Sequence, residues 1–270
     1  MTINEIKQLW NPKVKNSKAA VEFWNSKASS FAAKDIPNSE NSLAMRLISE
    51  NHMINSQQTV LDIGCGSGRF SFALEQLGAR VTGTDFSPRM IEECEKMKNM
   101  RSSSIEFCVQ DWQSADLYKL GWHNNFDLVL ANMTPSVDSA DTFLKLSEAS
   151  RNWCIMVKPT RRSNAVHDRL NDIFNITSDT NSLDKSLLFA FELLWLKGMN
   201  PKIEYQDQTW QNSLHVDDAI REYILRTSMS HTLSNSQKET ISEFLHSISV
   251  DNIVQETTHT TIAALYWQVQ

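Results

Sequence analysis

One glycine-rich turn constrains this chain more than any other feature. The chain has only 7 glycines in 270 residues, and three of them sit together in Gly64-Cys65-Gly66-Ser67-Gly68. A short apolar run, Thr59-Val-Leu-Asp-Ile63, leads directly into the turn. Phe70, Phe72, Ala73, Leu74 and Leu77 follow it at helical spacing. That order predicts a buried strand, a tight turn and a helix capped at Gly78. Glycines at such a turn let the backbone bend sharply and let a ligand come close to it. A dinucleotide fingerprint, G-x-G-x-x-G, would need its third glycine at the position of Arg69. The spacing here is G-x-G-x-G instead.

The strand-helix rhythm repeats downstream. Strands are predicted at 80–84, ending at Asp85, and at 105–110, 126–131 and 153–158. Ser87-Pro88 reads as an N-cap followed by a first-turn proline, opening a helix to about residue 100. A further helix is predicted over 138–149. Such alternation gives a parallel sheet with helices on both faces. After Pro159 the rhythm changes: helices are predicted at 164–174, 183–197, 216–226 and 237–248, and strands at 202–210 and 256–269. Upstream, Phe23, Trp24, Lys27 and Phe31 share a helical face, and 41–53 reads as a second helix. No repeat or Gly/Ser linker divides the chain. The reading is one domain: a helical arm or lid over 1–54, a ligand-binding half over 55–160, and substrate-side insertions with a terminal hairpin over 161–270.

Composition narrows the partners. With 26 Lys and Arg against 32 Asp and Glu, the net charge is −6, which argues against a general polyanion binder such as a nucleic-acid protein. Basic residues do gather in the arm, at Lys7, Lys13, Lys15, Lys18, Lys27 and Lys34. The cysteines, Cys65, Cys94, Cys108 and Cys154, are scattered without metal-ligand spacing, so reduced thiols and no metal are expected. The most apolar stretch, 187–196, contains Glu192 and is about half the ~20 residues a bilayer span needs. That helix is expected to pack in the core. No signal peptide is read at the N-terminus, so the expectation is a soluble, cytoplasmic protein with no membrane partner.

Two acids follow predicted strands. Asp85, after the second strand, is placed to accept both ribose hydroxyls of a nucleoside. Asp111, with Trp112 beside it, follows the third; the acid suits an adenine amino group and the ring suits the base. These loops share the carboxyl edge of the sheet, where open α/β sheets bind ligands.

In order, Val60-Leu-Asp-Ile-Gly-Cys-Gly-Ser-Gly-Arg-Phe70, Thr82-Gly-Thr-Asp-Phe-Ser-Pro-Arg-Met90, Val109-Gln-Asp-Trp112 and Phe126-Asp-Leu-Val-Leu-Ala131 resemble the motifs of class I S-adenosylmethionine-dependent methyltransferases. The resemblance covers about residues 55–160. It implies an α/β fold with a seven-stranded, mostly parallel sheet whose last strand is antiparallel, and S-adenosyl-L-methionine as cofactor. It further implies that Asp62 and the turn Gly64, Cys65, Gly66 and Gly68 hold the methionine moiety. Asp85 would hold the ribose, and Asp111 with Trp112 the adenine. Phe86, Ser87, Met90 and Asn132 complete the expected cofactor set.

Asn132-Met-Thr-Pro135 stands where some amino-group methyltransferases carry an Asn-Pro-Pro-aromatic turn, so Met133 and Thr134 are substrate-side candidates. Arg161 and Arg162, with Lys158, are candidates to pair a substrate carboxylate or phosphate. A sulfonium methyl is already activated, so no metal and no covalent nucleophile is expected, and no catalytic residue is assigned. His167, His215 and Tyr205 lack a spacing argument. The leading reading is methyl transfer to a small-molecule acceptor inside a pocket, with Trp24 and Phe31 of the arm shielding it. The alternatives are an RNA or protein acceptor gripped by the arm, or a cofactor-binding protein of this fold that moves no methyl. The acceptor atom and the oligomeric state are not specified by these residues.

Overall fold

Alternating burial along each central strand builds two cores, one on each face of a sheet. A computed structural model describes residues 1–11, 17–174 and 180–269; Lys13 and Lys15 of the basic arm lie outside the described residues. In chain order the elements are α1 (Ile3–Leu9), α2 (Ser17–Ala32), α3 (Leu43–Glu50), β1 (Thr59–Ile63), α4 (Arg69–Gln76), β2 (Arg80–Asp85), α5 (Pro88–Arg101), β3 (Glu106–Val109), β4 (Phe126–Asn132) and α6 (Ala140–Ala149). Then come β5 (Ser150–Asn164), α7 (Ala165–Ile173), α8 (Thr180–Leu196), β6 (Lys202–His215), α9 (Val216–Ser228), α10 (Asn235–Ile248) and β7 (Ile253–Gln268).

The strands form one seven-stranded sheet in the order β3-β2-β1-β4-β5-β7-β6. β1 to β5 run parallel, and β7 runs antiparallel to both β5 and β6. This is the sheet that the sequence resemblance implied.

Period-2 side-chain alternation sorts the strand residues. Leu61, Val129, Cys154, Met156, Leu265 and Trp267 face one core with Phe143 of α6 and Leu193 of α8. Val60, Leu128, Leu130, Ile155, Val157 and Tyr266 face the other with Leu47 of α3 and Phe72 of α4. Parallel strands buried on both faces read as continuous apolar runs, which is why 59–63 and 126–131 were legible.

Two features depart from expectation. The N-terminal arm is not one lid. α1 and its C-cap bury Ile6 and Trp10 in the first core, where Trp10 packs against Phe143 with ring centroids 5.5 Å apart. α3 belongs to the second core, and α2 reaches across, packing against α5 and α9. The second departure is strand length. β5, β6 and β7 run well past the sheet's parallel part and pair with one another up to His215↔Ile253. Their extension carries a third core, in which Val166, Leu170, Val216, Ala219, Tyr223, Ile241, Leu245 and Val254 are buried together. This cap holds α7, α9 and α10. Among the described residues, no helix is long and apolar enough to cross a membrane.

Candidate active-site cleft

The cleft begins at the glycine turn. Gly64 has φ +63°, and a Cβ there would stand 2.0 Å from Thr134 Oγ1, so the loop after β4 presses directly on the turn. Only a glycine permits that approach. Gly66 has φ +57°, and a Cβ there would meet only Met90 Sδ at 3.9 Å. The space over the turn is therefore open on the side where a ligand would lie.

Asp85 closes β2 beside this space. It is buried, yet it lines the cleft. Its Oδ2 accepts the Gly66 amide at 3.0 Å, and its Oδ1 accepts the Ser87 amide at 2.8 Å. A carboxylate has about four acceptor sites, so acceptor capacity remains beyond these bonds. Burial raises the carboxyl above its usual range, and the Ser87, Gly66 and Phe86 amides pull it back.

The cleft has a volume of about 2040 Å³ and runs from the turn to the cap. Of the residues named from the sequence, Gly64, Cys65, Gly66, Asp85, Phe86, Met90, Asn132, Met133, Thr134 and Arg162 line it. Trp24 and Phe31 of α2 line it as well. Asp62, Gly68, Ser87, Asp111, Trp112 and Arg161 do not. Asp62 is 2 % exposed and accepts Ser71 Oγ at 2.6 Å, tying β1 to the first turn of α4. Burial pushes its carboxyl up to about 7. Gly68 is the N-cap of α4 with φ +81°, and Ser87 is the fully buried N-cap of α5.

Trp112 corrects the adenine expectation. It is 1 % exposed, belongs to the first core, and donates its indole N–H to the Thr142 carbonyl at 2.9 Å. No face of the ring is open to a base. Asp111 is exposed and accepts the Gln113 amide at 3.0 Å, outside the cleft lining. Arg161 has φ +47° and points its amide, not its side chain, to a partner, Asp184 Oδ1 at 3.1 Å. Cys65 lines the cleft, but burial and the neighbouring Cys94 thiol raise its pKa well above the ordinary range, so it stays a neutral thiol.

Of the far wall, residue reading named Arg162 and, without a spacing argument, His167, and missed the rest. Asn164, His167, Trp210, Glu222, Arg226 and Thr258 line the cleft from the strand extension and the cap helices. Their approach depends on where long strands bend and helices land, which no local spacing encodes. Asn164 Nδ2 donates to Thr258 Oγ1 at 2.8 Å across β5 and β7. The His167 pKa is lowered by burial first and then by the nearby Arg226 charge.

Residues 54–187, which contain this turn and the β1-to-β5 strand ends, match the family model described as a methyltransferase domain. The chain belongs to the class I S-adenosylmethionine-dependent methyltransferases. A ribosomal protein L11 methyltransferase from Hydrogenovibrio crunogenus is 36% identical over 92 residues, covering 33% of this chain and 28% of that protein. A ubiquinone biosynthesis O-methyltransferase from Methylobacterium sp. strain 4-46 is 30% identical over 101 residues, covering 37% of each. The chain thus spans well under half the length of these curated relatives. In fold, the chain is similar to the geranyl diphosphate C-methyltransferase of Streptomyces coelicolor A3(2), with TM-score 0.50 and 14% identity over 94% of this chain and 97% of that one.

S-adenosyl-L-methionine is the cofactor of this methyltransferase family, and the residues at the turn fit it. The open space over Gly66 admits a ligand against the backbone. Ser67 Oγ, in the same turn, is buried without a hydrogen-bond partner among the described residues. Asp85 has acceptor capacity toward two hydroxyls. The arrangement offers a cradle at one end of the cleft and leaves the cap end for a second molecule.

Proposed function

We propose that this methyltransferase transfers the methyl group of S-adenosyl-L-methionine to a small-molecule acceptor held in the cap end of the cleft. The observation that carries this reading is the cleft itself. Its volume of about 2040 Å³ exceeds the ~300–1,000 Å³ of an ordinary ligand pocket, so it has room for a cofactor and a second molecule. Bound S-adenosyl-L-methionine supplies a methyl group on a cationic sulfur, already activated toward a nucleophile.

The chain's own residues then have three tasks. Asp85 accepts the ribose hydroxyls and sets the register of the cofactor along the turn. Asn132, Met133 and Thr134, held against Gly64, present the end of β4 to the methyl position. Trp24 and Phe31 of α2 cover the cleft and exclude water, so that alignment does the catalytic work. No side chain is assigned as general base.

The two curated relatives differ by name in acceptor, a ribosomal protein for one and ubiquinone biosynthesis for the other. The disposition of the described lysines at the cleft favours the small molecule. Lys27 is bound to Glu222, and Lys34 lies 4.4 Å over the Phe31 ring, both at the cleft. They do not extend a continuous basic surface for a polyanion. Incubation with radiolabelled S-adenosyl-L-methionine and either a low-molecular-weight extract or total RNA and protein tests the reading. Label is expected in the low-mass fraction, and label confined to RNA or protein would overturn it.

A further inference from the structure

We propose that the cap end of the cleft is an anion-binding subsite, in which Arg162, backed by Arg226, takes a carboxylate or phosphate group of the acceptor. The inference rests on the small-molecule reading above and names the class of molecule.

A β-bulge aims Arg162. Thr160 pairs with Thr261 and Ser163 with His259, so β5 spends one more residue than β7 over this interval. Bulges beside functional sites re-aim side chains in this way. The strand is clamped just before the bulge, where Thr160 Oγ1 donates to the Thr261 carbonyl at 2.8 Å and Thr260 Oγ1 donates to the Thr160 carbonyl at 3.0 Å. Arg161 consequently faces solvent, and Arg162 lines the cleft.

Arg162 is half-buried, and no carboxylate among the described residues lies within ion-pair distance of it. Its guanidinium sits 5.6 Å over the Trp210 ring. Trp210 is in turn held by its indole N–H bond to Gln208 at 2.8 Å. A flat guanidinium stacked on an aromatic keeps its edge donors free for a bidentate oxygen pair.

The nearby carboxylates are engaged with other groups. Glu222 is shared by two cations, Lys27 and Arg226. Glu256 also lines the cleft, but its Oε1 accepts the Tyr223 hydroxyl. Asp168 accepts the Asn164 amide at 3.0 Å. Burial, and then the neighbouring Arg226, weaken the Arg162 hold on its proton, and Glu256 and Asp168 oppose them only in part. An arriving carboxylate or phosphate relieves both effects. Buried charges in folded proteins are normally paired, and here the missing partner is the ligand.

The test separates anion from cofactor. Phenyl phosphate, benzoate and neutral benzyl alcohol are titrated into the protein saturated with S-adenosylhomocysteine, for the wild type and for Arg162→Gln. One of the two anions is expected to bind at least about tenfold tighter than benzyl alcohol, with Arg162→Gln abolishing the difference. Preference between phenyl phosphate and benzoate tells phosphate from carboxylate. S-adenosylhomocysteine affinity is expected to stay unchanged in the variant, so a failure of the cofactor reading is seen separately. Arg162→Lys, which keeps the charge and loses the fork, is expected to weaken the anion several-fold and serves if the glutamine variant does not fold. No anion preference in the wild type, or an undiminished one in either variant, would overturn the proposal.

Discussion

Asp85 and Asp62 are both buried acids near one turn, and their environments give them different work. Asp85 lines the cleft with acceptor capacity left over, so Asp85→Ala is expected to weaken S-adenosylhomocysteine binding while the fold persists. The loss of a charge-assisted acceptor for two hydroxyls is about 2–4 kcal/mol, read by calorimetric titration. An unchanged dissociation constant in the folded variant would remove Asp85 from the site. Asp62 instead answers to pH. Its carboxyl is pushed up to about 7 by burial, opposed by the Ser71 bond and reinforced by Asp85. The unfolded chain ionises near ~3.9, so it releases a proton that the folded chain retains. The Asp62 contribution to stability therefore falls as pH rises from about 4 to about 7, and levels off above that. Asp62→Asn is expected to flatten this slope in urea titrations, gaining on the order of 2–4 kcal/mol relative to wild type between pH 4.5 and 7.5. A parallel slope in both proteins would show Asp62 ionised in the fold.

At this scale the sequence was legible where backbone conformation is demanded and not where burial decides. Gly64 and Gly66 announce their positive φ by being glycine in a chain with few of them. Trp112 could equally stack on a base or anchor a core, because an aromatic after a strand-end acid serves both. The Thr142 carbonyl that claims its N–H lies 30 residues away.

Among the elements, α2 has the most unusual support. Asn25 Oδ1 accepts the Ser87 hydroxyl at 2.7 Å, joining α2 to the N-cap of α5. Lys27 joins it to Glu222 of α9. The helix thus bridges the cofactor end and the cap by side chains alone. Glu222 is the weak point because it serves both Lys27 and Arg226. Glu222→Gln leaves two half-buried cations short of a carboxylate and is expected to destabilise by about 1.5–3 kcal/mol. Lys27→Ala leaves Arg226 and Glu222 paired, and its cost is expected to stay near about 1 kcal/mol. Equal losses in denaturant titrations would mean that the shared carboxylate is not the hub. The helix over 17–32 could be read from its aromatic face. Its partners could not, since Ser87 and Glu222 stand 62 and 195 residues from their α2 bonds. The strand extension was legible only in part, because the exposed end of β6 offers no apolar run to follow.

For the whole molecule, the acid limit of stability is expected to follow Asp127. It accepts Arg151 Nε at 2.8 Å and Nη2 at 2.9 Å, together with the Thr59 amide at 2.8 Å, across β4, β5 and β1. Arg151 holds its carboxyl down at about 2. Its contribution is complete above about pH 4 and is lost as pH falls toward 2, opposite in sign to that of Asp62. Asp127→Asn is expected to raise the midpoint of acid unfolding, followed by circular dichroism, and an unmoved midpoint would locate the limiting carboxylate elsewhere.

The three long strands have a mechanical meaning. β5, β6 and β7 run from the cofactor sheet into the cap, with one bulge in β5, so the two ends of the cleft share one beam. Bending it would break main-chain ladders in several places at once. α2 is fastened across the mouth by a few side-chain bonds, which exchange one at a time. Entry and exit are therefore expected to fall to the cover and not to the walls. Amide hydrogen exchange would register this as early exchange along α2 while the paired residues from Thr258 to Ala264 remain protected.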